Sequence, residues 1–228
     1  MPWLEISSKH WKEPDCRQHI VVFTSDNGCS PRADFELLGQ KDHDPSYIFR
    51  GMKSDLFEGG HHVPCIVRWP AQSEPRRVKQ TVCLTDFMAT FAALTGYSLA
   101  DNEAEDSYNI FSLLTAPETR EKIREATVHH SIDGSFAIRQ GKWKLLLSSY
   151  SGGWSEPRKP QEGAPEYQLY DLEKDPEETC NVYKTNPEIA SRLRDLLVRY
   201  VEEGRSTPGL PQKNDGPYPW KQLSWMNN

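Results

Sequence analysis

Residues 20–23 read Ile-Val-Val-Phe and stop abruptly at Thr24-Ser25-Asp26-Asn27-Gly28, a cluster of turn formers. A β-branched run of this length reads as a buried strand, because branched side chains pack well on a pleated surface. The next apolar run, Pro64-Cys65-Ile66-Val67-Arg68-Trp69-Pro70, comes only after the long polar stretch 28–62, rich in Gly, Asp and His. A connection of that length inside a domain is usually functional rather than a spacer. Leu84, Phe87, Phe91 and Leu94 then recur at helical spacing, with Thr85 or Asp86 at the start and Gly96 just past the end. That pattern predicts an amphipathic helix whose apolar stripe is those four residues. Strand, loop, strand and helix in this order describe an α/β layer with its loops gathered at one sheet edge, where sites form.

Past about residue 100 the pattern changes. Asp101 to Asp106 is an acidic, linker-like patch. Residues 126–130, 135–139 and 143–147 are short strand-like runs separated by Asp133-Gly134 and Gln140-Gly141, which predicts an antiparallel meander. Residues 167–172 read as one more strand. Asn186-Pro187-Glu188 opens a helix with a cap, a proline and an acid in its first turn, and its stripe is Ile189, Leu193, Leu196, Leu197 and Tyr200. The tail from Gly204 is Pro/Gly-rich, with Trp220 and Trp225 expected to anchor it. Three regions follow: an aperiodic start at 1–18, an α/β portion at 19–100, and an antiparallel sheet with a helix and tail at 101–228.

With 228 residues, 36% hydrophobic and 26% charged, the chain can bury a core and is not a disordered composition. Its net charge of −6 and its only short basic cluster, Arg76-Arg77-Val78-Lys79, argue against nucleic acid as a partner. No apolar stretch is long enough to span a membrane, and the first residues lack the pattern of a signal peptide, which leaves localisation open. Cys16, Cys29, Cys65, Cys83 and Cys180 show no CxxC spacing, against both a disulfide framework and a zinc site.

The chemistry concentrates in the loops. Asp26 and Asn27 offer hard oxygen donors that suit Ca²⁺ or Mg²⁺, although a DNG triplet is also an ordinary turn. In residues 50–64, RGMKSDLFEGGHHVP, Lys53 is a point charge for an anionic oxygen and Gly59-Gly60 admits close backbone approach. His61 and His62 can donate hydrogen bonds or move protons. Taken singly, a loop lysine and a histidine pair are also ordinary solvated surface. His129 and His130 lie on the first meander strand, where one can reach substrate or both can be cross-strand packing. Arg139, Trp143 and Lys144 are expected to support the hairpin.

In order, TSDNG, the segment G-x-K-x-D-x-x-E-G-G-H-x-V-P and the V-R-W-P strand resemble the C-terminal half of the type I sulfatases of the alkaline-phosphatase superfamily. The resemblance continues through LTDFMATFAALTG, FAIRQGKWKLLL, YDLEKDPEETCNV and GRSTPG, and so covers residues 19–228. It implies an α/β fold, the C-terminal part of an alkaline-phosphatase-like sandwich followed by a small antiparallel sheet and helix. It also implies hydrolysis of sulfate esters, on a sulfated glycan or an aryl substrate. By that resemblance Asp26 and Asn27 bind a divalent cation, usually calcium, Lys53 grips the sulfate group, and Glu58-Gly59-Gly60 shapes the pocket wall. Lys53 and His61 become catalytic candidates, and Lys53, His62 and His130 substrate-binding ones.

The departures matter as much. His62 stands where many members carry arginine. Cys29-Ser30-Pro31-Arg32 imitates the family's C/S-x-P-S-R nucleophile segment, but Arg32 occupies the place of the small residue, Ala33 that of the arginine, and the segment follows the metal turn instead of preceding it. The family's paired N-terminal aspartates, central histidine and second lysine have no counterpart here. The expectation is therefore no nucleophile, an incomplete calcium ligand set, and a fragment whose partner is the missing N-terminal half. Two alternatives stay open: a phosphodiesterase or phosphonate hydrolase of the same superfamily, and a non-catalytic module that binds sulfated glycan or pairs with a separate chain.

Overall fold

A computed structural model describes residues 17–116, 122–215 and 220–227 of the chain. The aperiodic start expected at 1–18 falls almost wholly outside them, as does Cys16. Strands β1 (Val21–Thr24) and β2 (Cys65–Arg68) pair antiparallel, with Val21 opposite Arg68 and Thr24 opposite Cys65. Helices α1 (Phe35–Gly39), α2 (Asp86–Thr95) and α3 (Phe111–Thr115) accompany them. A second, antiparallel sheet follows in the order β3 (Thr127–His130), β4 (Phe136–Gln140), β5 (Trp143–Leu146) and β6 (Gln168–Asp171), then helix α4 (Pro187–Glu203). The meander and the last helix stand where the sequence put them.

Helix α4 begins at Pro187, whose missing N–H costs nothing in a first turn, and ends at Gly204 with φ 63°. Its buried face, Ala190, Leu193, Leu196, Leu197 and Tyr200, joins Phe136, Ile138, Leu145 and Leu169 of the sheet in one core. Ile138 and Leu145 are cross-strand partners pointing at the helix, while their neighbours Ala137 and Leu146 pair on the opposite face. That opposite face does not meet a helix. Leu56 and Phe57, from the polar stretch, close over Ala137, Leu146 and Tyr170. The period of two along β4 and β5 thus serves two different cores, and the second of them is a loop packed as tightly as a helix.

Two expectations are corrected. Trp225 is buried and meets Phe136 edge-on at 6.1 Å, whereas Trp220 is 44% exposed. In α2 the stripe of Leu84, Phe87, Phe91 and Leu94 is not the inner face. The buried residues are Asp86, Ala89, Thr90 and Ala92, while Phe91 is 40% exposed and stacks on Phe87 at 5.5 Å. The reason is polar. Asp86 receives Arg124 Nη2 at 2.6 Å and Nε at 3.3 Å, and the amides of Cys83 and Tyr108 at 2.7 and 3.0 Å. Thr90 Oγ1 donates to the Asp86 carbonyl and accepts from the Ile110 amide. A fully satisfied buried pair holds that face inward more firmly than the hydrophobic stripe can turn it. Phe91→Ser is accordingly expected to change stability by no more than about 0.5 kcal/mol in urea denaturation. A loss of 2 kcal/mol or more (roughly that of a buried aromatic) would contradict this orientation.

Candidate functional site

The TSDNG turn and the 50–62 segment are stitched together by backbone alone. Gly28 N donates to Gly60 O at 2.8 Å and Lys53 N to Cys29 O at 2.9 Å. The approach requires glycine: a Cβ on Gly28 would lie 1.7 Å from Gly59 O, and one on Gly59 would lie 2.3 Å from Gly51 O. A cavity of about 660 Å³ opens at this seam, and its lining includes Asn27, Cys29, Tyr47, Phe49, Gly59 and His62.

Asn27 Nδ2 donates to Gly28 O at 3.1 Å, which leaves Oδ1 as an unused acceptor. Asp26 beside it supplies a carboxylate with no hydrogen-bond partner among the described residues. The pair suits a hard divalent cation in kind, yet calcium takes 6–8 oxygens. Among the described residues no group of three or more His, Cys, Asp or Glu is arranged to hold a metal. The donors present are too few to hold a calcium ion by themselves. Lys53 has its amide fixed to Cys29, and its ammonium has no ion-pair partner among the described residues.

Behind the cavity wall lies a cluster of buried charges around Glu58. Glu58, with a side chain 3% exposed, accepts from Lys144 Nζ at 3.0 Å and Arg139 Nη1 at 3.0 Å. His62 Nδ1 lies 2.8 Å from its Oε2 and His61 Nε2 lies 3.3 Å from its Oε1. Burial opposes ionisation of Glu58, but the Lys144 ammonium and the two histidine hydrogen bonds outweigh it and hold the carboxyl well below the usual range. An ionised carboxylate only accepts, so the His62 nitrogen facing it carries the proton and Nε2 is left for other work. Stacking on Phe49 at 4.1 Å fixes the plane of that ring.

Lys144 itself is fully buried and also lies 2.8 Å from Glu178 Oε1, while Glu178 Oε2 accepts the Glu58 amide at 2.6 Å. Burial pushes the Glu178 carboxyl upward, against the pull of Lys144. His61 points into this cluster, 3.3 Å from Lys144 Nζ, and its ring lies 3.7 Å from that of His129, tilted by 38°. Burial, reinforced by the Lys144 charge, lowers His61 to about 4, so it is neutral at neutral pH. His130 ends β3, edge-on to Phe136 at 4.1 Å, and lines no part of the cavity. Even so, Ile132 N donates to Ser54 O at 3.0 Å, which brings the turn after His130 beside the residue after Lys53.

Asp55 completes the frame. Its carboxylate takes the amides of Met52, Trp154 and Ser155 at 2.8, 2.7 and 3.1 Å, and also the Ser155 hydroxyl. The structure therefore joins Asn27, His62 and the Lys53 backbone at one seam, and commits His61 to the buried cluster behind it. Glu58 was expected only as part of the pocket wall, and Lys144, Glu178 and Asp55 were missed as site-building residues. Two of them left a signal: Glu58 sits between Leu56-Phe57 and Gly59-Gly60, and Lys144 interrupts an apolar strand, both being charges inside segments that bury.

Residues 12–97 match the sulfatase family model. Over 188 residues the chain is 35% identical to an N-acetylgalactosamine-6-O-sulfatase of Bacteroides thetaiotaomicron, covering 78% of this chain and 35% of that protein. The family-level match is to the sulfatases. Human arylsulfatase A is 28% identical over 222 residues, covering 90% of this chain and 42% of that protein. A solved structure concerned with the metabolism of multiple glycosaminoglycans by Bacteroides thetaiotaomicron superposes with a TM-score of 0.68 at 33% identity, over 79% of this chain and 38% of that one. A Pseudoalteromonas sulfatase superposes at 0.66 with 20% identity, over 86% of this chain and 40% of that one, which speaks to fold alone. The fold is an α/β alkaline-phosphatase-like sandwich followed by a smaller sheet-and-helix unit. The chain spans well under half the length of each of these sulfatase matches.

Proposed function

We propose that this chain carries the anion-gripping wall of a sulfate-ester hydrolase site, as the C-terminal half of such an enzyme. The wall is built where the 19–100 portion meets the 101–228 portion. The observation that supports this reading is the backbone seam Gly28–Gly60 and Cys29–Lys53, which holds the Lys53 backbone against the residues after the Asp26-Asn27 turn, with Asn27 and His62 lining the cavity there. Transfer of a sulfuryl group, like that of a phosphoryl group, spreads negative charge over non-bridging oxygens. Cations and N–H groups held rigidly around those oxygens lower the barrier. Lys53 supplies the mobile charge. His62 supplies a directed ring nitrogen, and Glu58 positions it. His61 acts through Glu58 and keeps the segment on the sheet. Asp26 and Asn27 contribute to a calcium site whose remaining oxygens come from elsewhere. Cys29 is not the nucleophile: its thiol leans on the Ser30 carbonyl at 3.7 Å, and its sequence neighbours do not fit that role.

Calorimetric titration of the 228-residue protein with sodium sulfate tests this. Lys53→Ala and His62→Ala are each expected to weaken sulfate binding about tenfold, the scale of one lost charge-assisted hydrogen bond. Unchanged affinity in both variants would overturn the assignment. The protein alone is expected to show no hydrolysis of an aryl sulfate, and hydrolysis abolished by Cys29→Ala would overturn the reading of Cys29.

A further inference from the structure

A second cavity, of about 500 Å³, lies on the other side of Glu58, between residues 79–81, the stretch 122–127 and the β4–β5 turn. Five cationic side chains line it, Lys79, Lys122, Arg124, Arg139 and Lys142, against two carboxylates, in a chain whose net charge is −6. The carboxylates are poor counterweights. Glu125 is engaged by Arg199 Nη2 at 2.5 Å and Tyr200 OH at 3.0 Å, and Glu173 is 76% exposed and 4.0 Å from Lys142. Of the cations, Arg124 is consumed by Asp86, while Lys142 keeps donors beyond its 2.9 Å contact with Asp171. Lys79 and Lys122 have no ion-pair partner among the described residues. Thr127 lines the same cavity, and its buried Oγ1 has no hydrogen-bond partner among the described residues.

We propose that this cleft is a second oxyanion-binding site, taking a sulfate group of an acidic saccharide. Lys79 and Lys122 provide the charge, and Arg139 and the orphan Thr127 hydroxyl provide directed donors. A buried hydroxyl with nothing to bond is costly, and an oxyanion in the cleft satisfies it. The two cavities share a wall. Arg139 Nη1 of the second and His62 Nδ1 of the first bond the same Glu58 oxygen, at 3.0 and 2.8 Å. The saccharide part rests on the sulfate-ester reading of the first cavity, and the oxyanion part does not.

The test is a titration of the isotope-labelled protein, followed at backbone amides, with sodium sulfate and with a heparin-derived tetrasaccharide, and with the desulfated tetrasaccharide as control. Amides of Thr127, Gly141 and Lys142 are expected to move with both sulfate-bearing probes and not with the control. Lys79→Ala/Lys122→Ala is expected to weaken that response about tenfold, and these exposed sites carry little of the fold. Lys53→Ala is expected to leave the sodium sulfate response at these amides unchanged, which separates the two cavities. Amides of the second cavity that stay still, or that move equally with the desulfated control, would overturn the proposal. Movement undiminished in the double variant would overturn the roles of the two lysines.

Discussion

Lys144→Met is expected to destabilise the protein by roughly 3–5 kcal/mol, the range found when one partner of a buried ion pair is removed. The ammonium lies within 3.0 Å of Glu58 and 2.8 Å of Glu178, with none of its side chain exposed. Methionine keeps the volume of the stem, so the loss isolates the charge rather than a cavity. Two carboxylates would then share the interior, with Arg139 and two histidines beside Glu58 and only the Glu58 amide donating to the Glu178 carboxylate among the described residues. Adding Glu178→Gln removes one of the stranded charges and is expected to recover part of the loss, which a double-mutant cycle in urea reads directly. A Lys144→Met cost under 1 kcal/mol would show that the cluster does not hold the loop on the sheet.

Mild acid is the second large lever. In the unfolded chain His61 takes up its proton near 6.5, but in the folded protein burial and the Lys144 charge delay this to about 4. Between those values the unfolded chain holds a proton that the folded protein refuses, so stability falls as pH falls through this window. For His61 alone the loss is roughly 3 kcal/mol, at about 1.4 kcal/mol per unit. His129, pushed well down chiefly by burial, acts in the same direction. Glu58 adds to it lower down: held ionised in the folded state, it contributes stability above about 4.5 that is lost in stronger acid. Urea denaturation at a series of pH values is expected to show stability rising steeply from pH 4 to 6.5, with a shallower slope in His61→Gln. A flat profile would mean that the two histidines are solvated rather than packed against Lys144.

The meander and helix α4 were legible because each carries its own period. Ile138 and Leu145 alternate with Ala137 and Leu146, and Leu193, Leu196, Leu197 and Tyr200 fall on one helical face. The inner face of α2 was not legible. There Asp86 and Thr90 face inward because Arg124, 38 residues away, arrives to meet them, and no local pattern encodes an arrival. The site divides the same way. Asn27, Lys53 and His62 were proposed from short motifs, since a turn with oxygen donors and a glycine-flanked basic loop suggest their chemistry locally. Their support was not. Glu58 depends on Lys144, Arg139 and Glu178, which the antiparallel register of β4 and β5 and the Asp175–Glu178 turn deliver from far along the chain. His61 and His62 are adjacent in sequence and look interchangeable, yet one bonds Glu58 from the cavity side and the other from within the buried cluster.

We propose that the carboxylate of Glu58 pins a loop against the β-sheet so that His62, Lys53 and the Asp26-Asn27 turn serve one anionic group. An amide-resolved magnetic resonance titration with sulfate measures this most directly. The predicted result is a cluster of shifts at Asn27, Gly28, Lys53, Gly60 and His62, lost when Glu58 is replaced by glutamine in a protein that remains folded. Shifts absent from all five positions, or a cluster that survives Glu58→Gln intact, would contradict it.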